Sequence, residues 1–222
     1  MSGKQIENWT AYLGIVPEKH HVISLVGAGG KTTLIFTLAK ELKEAGFRVA
    51  VTTTTHMQEE TRDGITPVGV PCGGGKISGV SEEMLERLRE DYDVVLVEAD
   101  GSHRLPFKVP SASEPVLPKH TDLVIGVAGA SAIGQPFGAV CHRLEQAIDC
   151  LGVTRGTTVT EEHLLEVLNA PWGQRKNVVC DYKYVINQVD LLDEKRQTML
   201  KNIQDKCESK GALISLKESY AL

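Results

Sequence analysis

The stretch SLVGAGGKTTLI, residues 24–35, sets Gly27, Gly29, Gly30, Lys31, Thr32 and Thr33 between two different periodicities. Before it, His21–Val26 (HVISLV) is a short β-branched run that predicts a buried strand. After it, Leu34, Ile35, Leu38, Ala39 and Leu42 fall on one face of a helix expected from Lys31 to Ala45, with Gly46 as its stop. A strand that turns through glycines into a helix is a phosphate cradle. Glycines, with Ala28 among them, let backbone N–H groups turn inward with no Cβ in the way, and the helix N-terminus adds a partial positive charge at the same point. Lys31 is then the candidate for the β- and γ-phosphates, and the Thr32 hydroxyl for Mg²⁺.

The common spacing, GxxxxGK[ST], would put its first glycine at position 25, which is Leu25. The loop here is the shorter GxxGKT, and that form is similar to the ATP-binding loop of the Mur-ligase and folylpolyglutamate-synthase group. Outward from this turn the chain keeps alternating strand-like and helix-like segments. Strands are expected at Phe47–Val51, Asp93–Val97, Leu123–Val127, Tyr184–Ile186 and Leu213–Leu216. Helices are expected after Ser81, at His142–Leu151, at Thr160–Leu168 with Thr160 as N-cap, and at Asp193–Cys207 before Gly211. The pattern predicts one α/β domain over residues 1–222, a P-loop NTPase-like, mostly parallel sheet with helices on both faces. Residues 56–79 and 101–119 are expected to be long irregular loops, which in a compact domain tend to carry function.

A phosphate loop with Mg²⁺ needs a carboxylate at a neighbouring strand end. VVLVEADGSH offers Glu98 and Asp100, which alternation places on the same side. One would hold Mg²⁺ and the other orient an attacking water or an acceptor hydroxyl; spacing does not assign the roles. Thr52–Thr55 and His56, ending another strand, are expected to face the nucleotide. INQVD resembles the NKxD guanine-recognition motif, in which the Asn helps tie loops together and the Asp takes the base, but Gln188 replaces the lysine; Asn187 with Asp190 is expected to contact the base. The base is thus left as GTP or ATP. Arg143 is a candidate charge stabiliser for a transferring phosphoryl group, against the competing reading of a surface arginine. Lys76, beside the glycines at 73–75, is a candidate second anion contact or a solvated loop lysine.

Composition sets the outer bounds. The formal net charge is −5, with 24 Lys and Arg against 29 Asp and Glu, which excludes bulk binding to nucleic acid or anionic membrane. No apolar run approaches the roughly 20 residues of a membrane span, and MSGKQIENWT has no apolar signal core. Cys72, Cys141, Cys150, Cys180 and Cys207 are odd in number and scattered, with no CxxC pair. Together these predict free thiols in a cytoplasmic protein.

With those pieces assembled, the chain resembles the YqeC family, accessory proteins of selenium-dependent molybdenum hydroxylases. The stretches that carry the resemblance are VGAGGKTTLIFTLAKEL, VAVTTTTHM, LVEADGSHRLPFKVPSASEPVLP, DLVIGVAGASAIGQP, VCHRLE and INQVD, between residues 26 and 190. The resemblance implies a P-loop NTPase-like fold and a part in maturing the hydroxylase's molybdenum–selenium centre. It also implies that the loop of Lys108, Glu114 and Pro118 lies near the nucleotide or a protein client. The expected partners are a nucleoside triphosphate and a hydroxylase or its cofactor-maturation proteins, with a homodimer left open. The expected function is a Mg²⁺-dependent NTPase. Kinase or ligase chemistry, and a non-hydrolysing nucleotide-sensing adaptor, are the alternatives.

Overall fold

The structure is a computed structural model that describes residues 3–205 and 211–222. In chain order it contains β1 (Lys4–Gln5), α1 (Trp9–Tyr12), β2 (Val22–Gly27), α2 (Lys31–Glu44), β3 (Val49–Thr53), β4 (His56–Gln58), β5 (Val70–Gly73) and β6 (Lys76–Ser78). Then come α3 (Glu82–Asp91), β7 (Val94–Glu98), β8 (Phe107–Lys108), β9 (Leu123–Gly129), α4 (Phe137–Val140) and β10 (Cys141–His142). The chain continues with α5 (Leu144–Leu151), α6 (Glu161–Asn169), β11 (Asp181–Asn187), α7 (Glu194–Gln204), β12 (Gly211–Ser215) and β13 (Tyr220–Ala221). Short 3₁₀ turns occupy Ala130–Ala132 and Val189–Leu191.

Among the described residues the main sheet has eight strands in the order β1-β13-β12-β11-β9-β2-β7-β3. The six from β12 to β3 run parallel, and β13 and β1 close one edge antiparallel. β2 sits in the interior of this order. The chain leaves it for β3 and β7 on one side, then crosses to β9, β11 and β12 on the other. Such a reversal opens a crevice at the carboxyl ends of the strands, and the glycine turn lies at that end of β2.

Alternation along β2 builds the two faces. Ile23 and Leu25 join the cluster with α2 residues Leu34, Ile35, Leu38 and Leu42 and with Trp9 of α1. Val22 packs on the opposite face with Leu85 and Leu88 of α3, and Val26 with Val124. A buried Leu or Ile of this kind stabilises by about 1.5–3 kcal/mol, so the face of α2 that docks on the sheet also fixes where the turn before it points. Three helix starts follow sequence chemistry: the side chains of Ser81, Thr160 and Asp193 accept from backbone amides at the starts of α3, α6 and α7. Among the described residues no helix is long and apolar enough to cross a membrane.

The structure corrects several boundaries. The loop expected at 56–79 contains a three-stranded antiparallel sheet, order β4-β6-β5, joined to the main sheet through a Thr52–Val68 bridge. Its strands are three or four residues long, too short to show a period. In the stretch 101–119, β8 pairs with β10, Phe107 opposite Cys141 and Lys108 opposite His142. The helix expected from His142 begins at Leu144, because Arg143 adopts the left-handed conformation (φ 70°) and cannot belong to it. The described part of the last helix is Glu194–Gln204, and Cys207 lies outside the described residues.

Candidate functional site

The turn expected to cradle phosphate is built as its residues dictate. Gly27, Gly29 and Gly30 all have positive φ, at 97°, 82° and 126°. At Gly29 a Cβ would also collide with the backbone of Gly129, so both the conformation and the close approach of two strand ends require glycine there. Gly30 is the N-cap of α2, and no side chain caps this helix. The amides of residues 29–33 donate to no acceptor among the described residues, in contrast to the capped starts of α3, α6 and α7. Five consecutive unspent N–H groups at a helix N-terminus form a ready anion site.

Lys31 is 3% exposed and bends back over the turn, its Nζ donating to the Gly27 carbonyl. It stands 3.0 Å from Asp100 Oδ1 and 4.0 Å from Glu98 Oε1, so the two carboxylates do share a side of the strand end. Their situations differ. Asp100 is fully buried and accepts from the Gly27 amide through both oxygens, at 3.1 and 2.9 Å, while its Oδ2 also meets Lys108 Nζ at 2.9 Å. Glu98 lines the cavity and accepts a 2.7 Å hydrogen bond from the Thr32 hydroxyl. Burial pushes the Glu98 carboxyl above the usual carboxylate range, against the opposing pull of Lys31 and the Thr32 bond. A divalent cation beside it would favour its ionised form. Thr32 and Glu98 are hard oxygen donors of the kind Mg²⁺ takes. Among the described residues no group of three or more His, Cys, Asp or Glu could hold a metal ion.

These residues open onto a cavity of about 630 Å³ lined by Gly29–Thr33 and Glu98 on its inner side. The far side carries His56, Gln58, Arg62 and Lys76, and the 102–106 turn supplies Ser102, His103 and Arg104. Four basic side chains, Lys31, Arg62, Lys76 and Arg104, thus share the cavity with one carboxylate, Glu98, in a chain whose net charge is −5. An adjoining cavity of about 430 Å³ shares Thr33 and Arg62, and Phe36 and Leu216 line it together with four carboxylates, Glu7, Glu41, Glu44 and Asp63.

Other expected residues sit elsewhere. Asn187 lines neither cavity but ties loops together: its Nδ2 donates to Gly29 O at 3.0 Å and its Oδ1 accepts from the Leu216 amide at 3.1 Å. Asp190 is half-buried beside Lys217 and Tyr220 and is absent from the lining of both cavities. Gln188 does reach the larger one, in the left-handed conformation (φ 68°), with Ser131 donating to it at 2.6 Å. Arg143 does not line the cavity; it stands 3.5 Å from Glu114. The threonines expected to face the nucleotide are spent on backbone instead. Thr52, Thr53 and Thr54 donate to the carbonyls of Val68, Glu98 and Val116. Of that segment, His56 reaches the cavity.

Lys108 had no role readable from spacing. It is buried completely and joins Asp100 to Glu114, 3.1 Å away, while its Nζ also donates to the Gly101 carbonyl. Lys31–Asp100–Lys108–Glu114–Arg143 is therefore one connected set of charges that runs from the glycine turn into the 101–119 segment. Lys108 and the Ser111 amide hold the Glu114 carboxyl down at about 2, against the opposing effect of its burial. Burial, then Lys108, push the neighbouring His142 imidazole down to about 4.

Comparison with known proteins covers this same stretch. A family model described as "YqeC protein" matches residues 23–145, from β2 to the first turn of α5. A protein of Escherichia coli (strain K12) described as "Uncharacterized protein YqeC" is 37% identical over 196 residues, covering 75% of this chain and 75% of that relative. No solved structure matches. On the family match and this relative, the chain belongs to the YqeC family.

Proposed function

We propose that the larger cavity binds the phosphates of a nucleoside triphosphate, GTP or ATP, with Mg²⁺, and that the protein is a Mg²⁺-dependent NTPase with a P-loop NTPase-like fold. The observation that carries this reading is the run of unspent amides from Gly29 to Thr33 at the start of α2, beside Lys31. Lys31 would leave the Gly27 carbonyl for the β- and γ-phosphates, while Asp100 keeps its hold on the Gly27 amide. Thr32 and Glu98 would hold the Mg²⁺, which when bound offsets charge building on the phosphates. The adjoining cavity, with Phe36 and Leu216 on its wall, suits a nucleoside base, and Asn187 braces both the glycine turn and Leu216. From the family resemblance we further propose that nucleotide turnover serves maturation of a selenium-dependent molybdenum hydroxylase.

Calorimetric titration with GTP and ATP, each with Mg²⁺, tests the reading. At least one is expected to bind below about 1 mM, and Lys31→Ala is expected to weaken it by about 100-fold. No binding of either below that concentration overturns the proposal, as does a Lys31→Ala protein that binds like the wild type.

A further inference from the structure

We propose that the far wall of the larger cavity is a second anion subsite, shaped for the phosphate group of a second small-molecule substrate. This rests on the reading of the inner wall as the nucleotide's phosphate site.

Two independent segments build that wall. In the antiparallel β4–β6 ladder, Gln58 lies directly opposite Lys76, and His56 is two residues from Gln58 on the same strand. Period-two alternation puts all three on one face. The intervening Met57 and Ile77 are buried in the core cluster and pin the other face, so the polar face is held toward the cavity. From the other side, His103 and Arg104 are consecutive residues in the left-handed conformation, φ 50° and 62°. Two adjacent non-glycine residues rarely adopt it, and each costs energy that the surroundings must offset. The anchor is visible: the His103 ring stacks on His142 with centroids 4.6 Å apart, and His142 lies in β10 opposite Lys108 of β8.

Two of the three cations on this wall lack counter-ions. Lys76 and Arg104 make no ion pair among the described residues, whereas Arg62 is paired with Glu60 at 2.7 Å. Glu98, the one carboxylate lining the cavity, is engaged with Thr32 and Lys31 on the inner wall. The inner wall already has Lys31 and five amides for a triphosphate. Lys76 and Arg104, exposed and without ion-pair partners among the described residues, line the same cavity with Gln58, Ser102 and two imidazoles, and these are donors in excess of one ligand's need. They come from separate segments and suit a tetrahedral phosphate; a planar carboxylate is satisfied by one arginine fork.

The test is titration with inorganic phosphate followed by ³¹P NMR, run in the Lys31→Ala background to weaken the inner site, whose backbone amides remain. Phosphate is expected to bind Lys31→Ala protein, and Lys31→Ala/Lys76→Ala/Arg104→Ala is expected to bind it at least about tenfold more weakly. In wild-type background, Lys76→Ala/Arg104→Ala is expected to leave Mg²⁺–nucleotide affinity within about threefold. Equal phosphate binding by the double-alanine and parent proteins in the Lys31→Ala background overturns the subsite. So does a loss of nucleotide affinity in Lys76→Ala/Arg104→Ala as large as that in Lys31→Ala, since those cations would then hold the same triphosphate. A Lys31→Ala protein with unchanged nucleotide affinity sinks the nucleotide reading instead, and the phosphate titration still decides the subsite by itself.

Discussion

Asp100 Oδ2 and Lys108 Nζ lie 2.9 Å apart, and neither side chain is exposed to water at all. Ionic groups survive such burial only when paired and hydrogen-bonded, and here the pairing extends to Lys31, Glu114 and the Gly101 carbonyl. Truncating one partner strands the others. Lys108→Met is expected to cost about 3–5 kcal/mol in urea unfolding. Loss of Arg48, whose pair with Asp93 is solvated, is expected to matter little. Equal effects of the two substitutions would show that the buried pair contributes no more than a surface one.

The Thr32–Glu98 hydrogen bond offers a way to separate metal from phosphate. Thr32→Val keeps the shape but removes the hydroxyl oxygen proposed for Mg²⁺. Nucleotide affinity in the presence of Mg²⁺ is expected to fall by about 10–100-fold, while affinity measured in EDTA stays near that of wild type. An equal loss in both conditions would assign the hydroxyl to phosphate instead of metal.

What could be read from sequence was what local periodicity controls. Strand β2, the glycine turn and α2 follow from a short β-branched run, glycines at the turn and a 3.6-residue apolar stripe within one continuous stretch. Glu98 and Asp100 were placed on one side by alternation, but their different surroundings come from Thr32 for one and Gly27 for the other, both distant in sequence, and from Lys108 in the irregular 101–119 segment. Thr52–Thr54 were misread because a threonine hydroxyl serves a ligand or a carbonyl equally well. The carbonyl of Val68 reaches Thr52 through an insertion whose strands are too short for a periodic signal. Arg104 escaped notice for a similar reason, since its aim is set by backbone conformation and by His103 stacking on His142.

Acidification should lower the stability of the fold over two pH windows. The folded His142 imidazole is held down to about 4 from 6.5, so the unfolded chain binds a proton that the folded one refuses. The stability this contributes is present above pH 6.5 and lost as pH falls to about 4. Glu114, held at about 2 from 4.5, contributes stability that is lost between pH 4.5 and 2. Glu98 has the opposite sign: its raised value means that acidification relieves a cost, which partly offsets the first loss. His142→Gln is expected to flatten the dependence of unfolding free energy between pH 6.5 and 4 and to leave the lower limb in place. An unchanged upper limb would remove His142 as its source. The groups that face this imidazole are Lys108, His103, Arg143 and Glu114.

Asn187 links the glycine turn to the β12–β13 connection through two hydrogen bonds, one at each end of a single buried amide. Asn187→Ala leaves the Gly29 carbonyl and the Leu216 amide without these partners, at an expected cost of about 1–3 kcal/mol. Because Gly29 opens the run of amides proposed to hold phosphate, the loss should reach the ligand too. GTP and ATP are expected to weaken by the same factor, since the contact orders the turn and touches no base. A loss confined to GTP would instead give Asn187 a share in reading guanine. Unchanged affinity for both would mean that the turn keeps its shape without the side chain, held by Gly129 and the sheet beneath it.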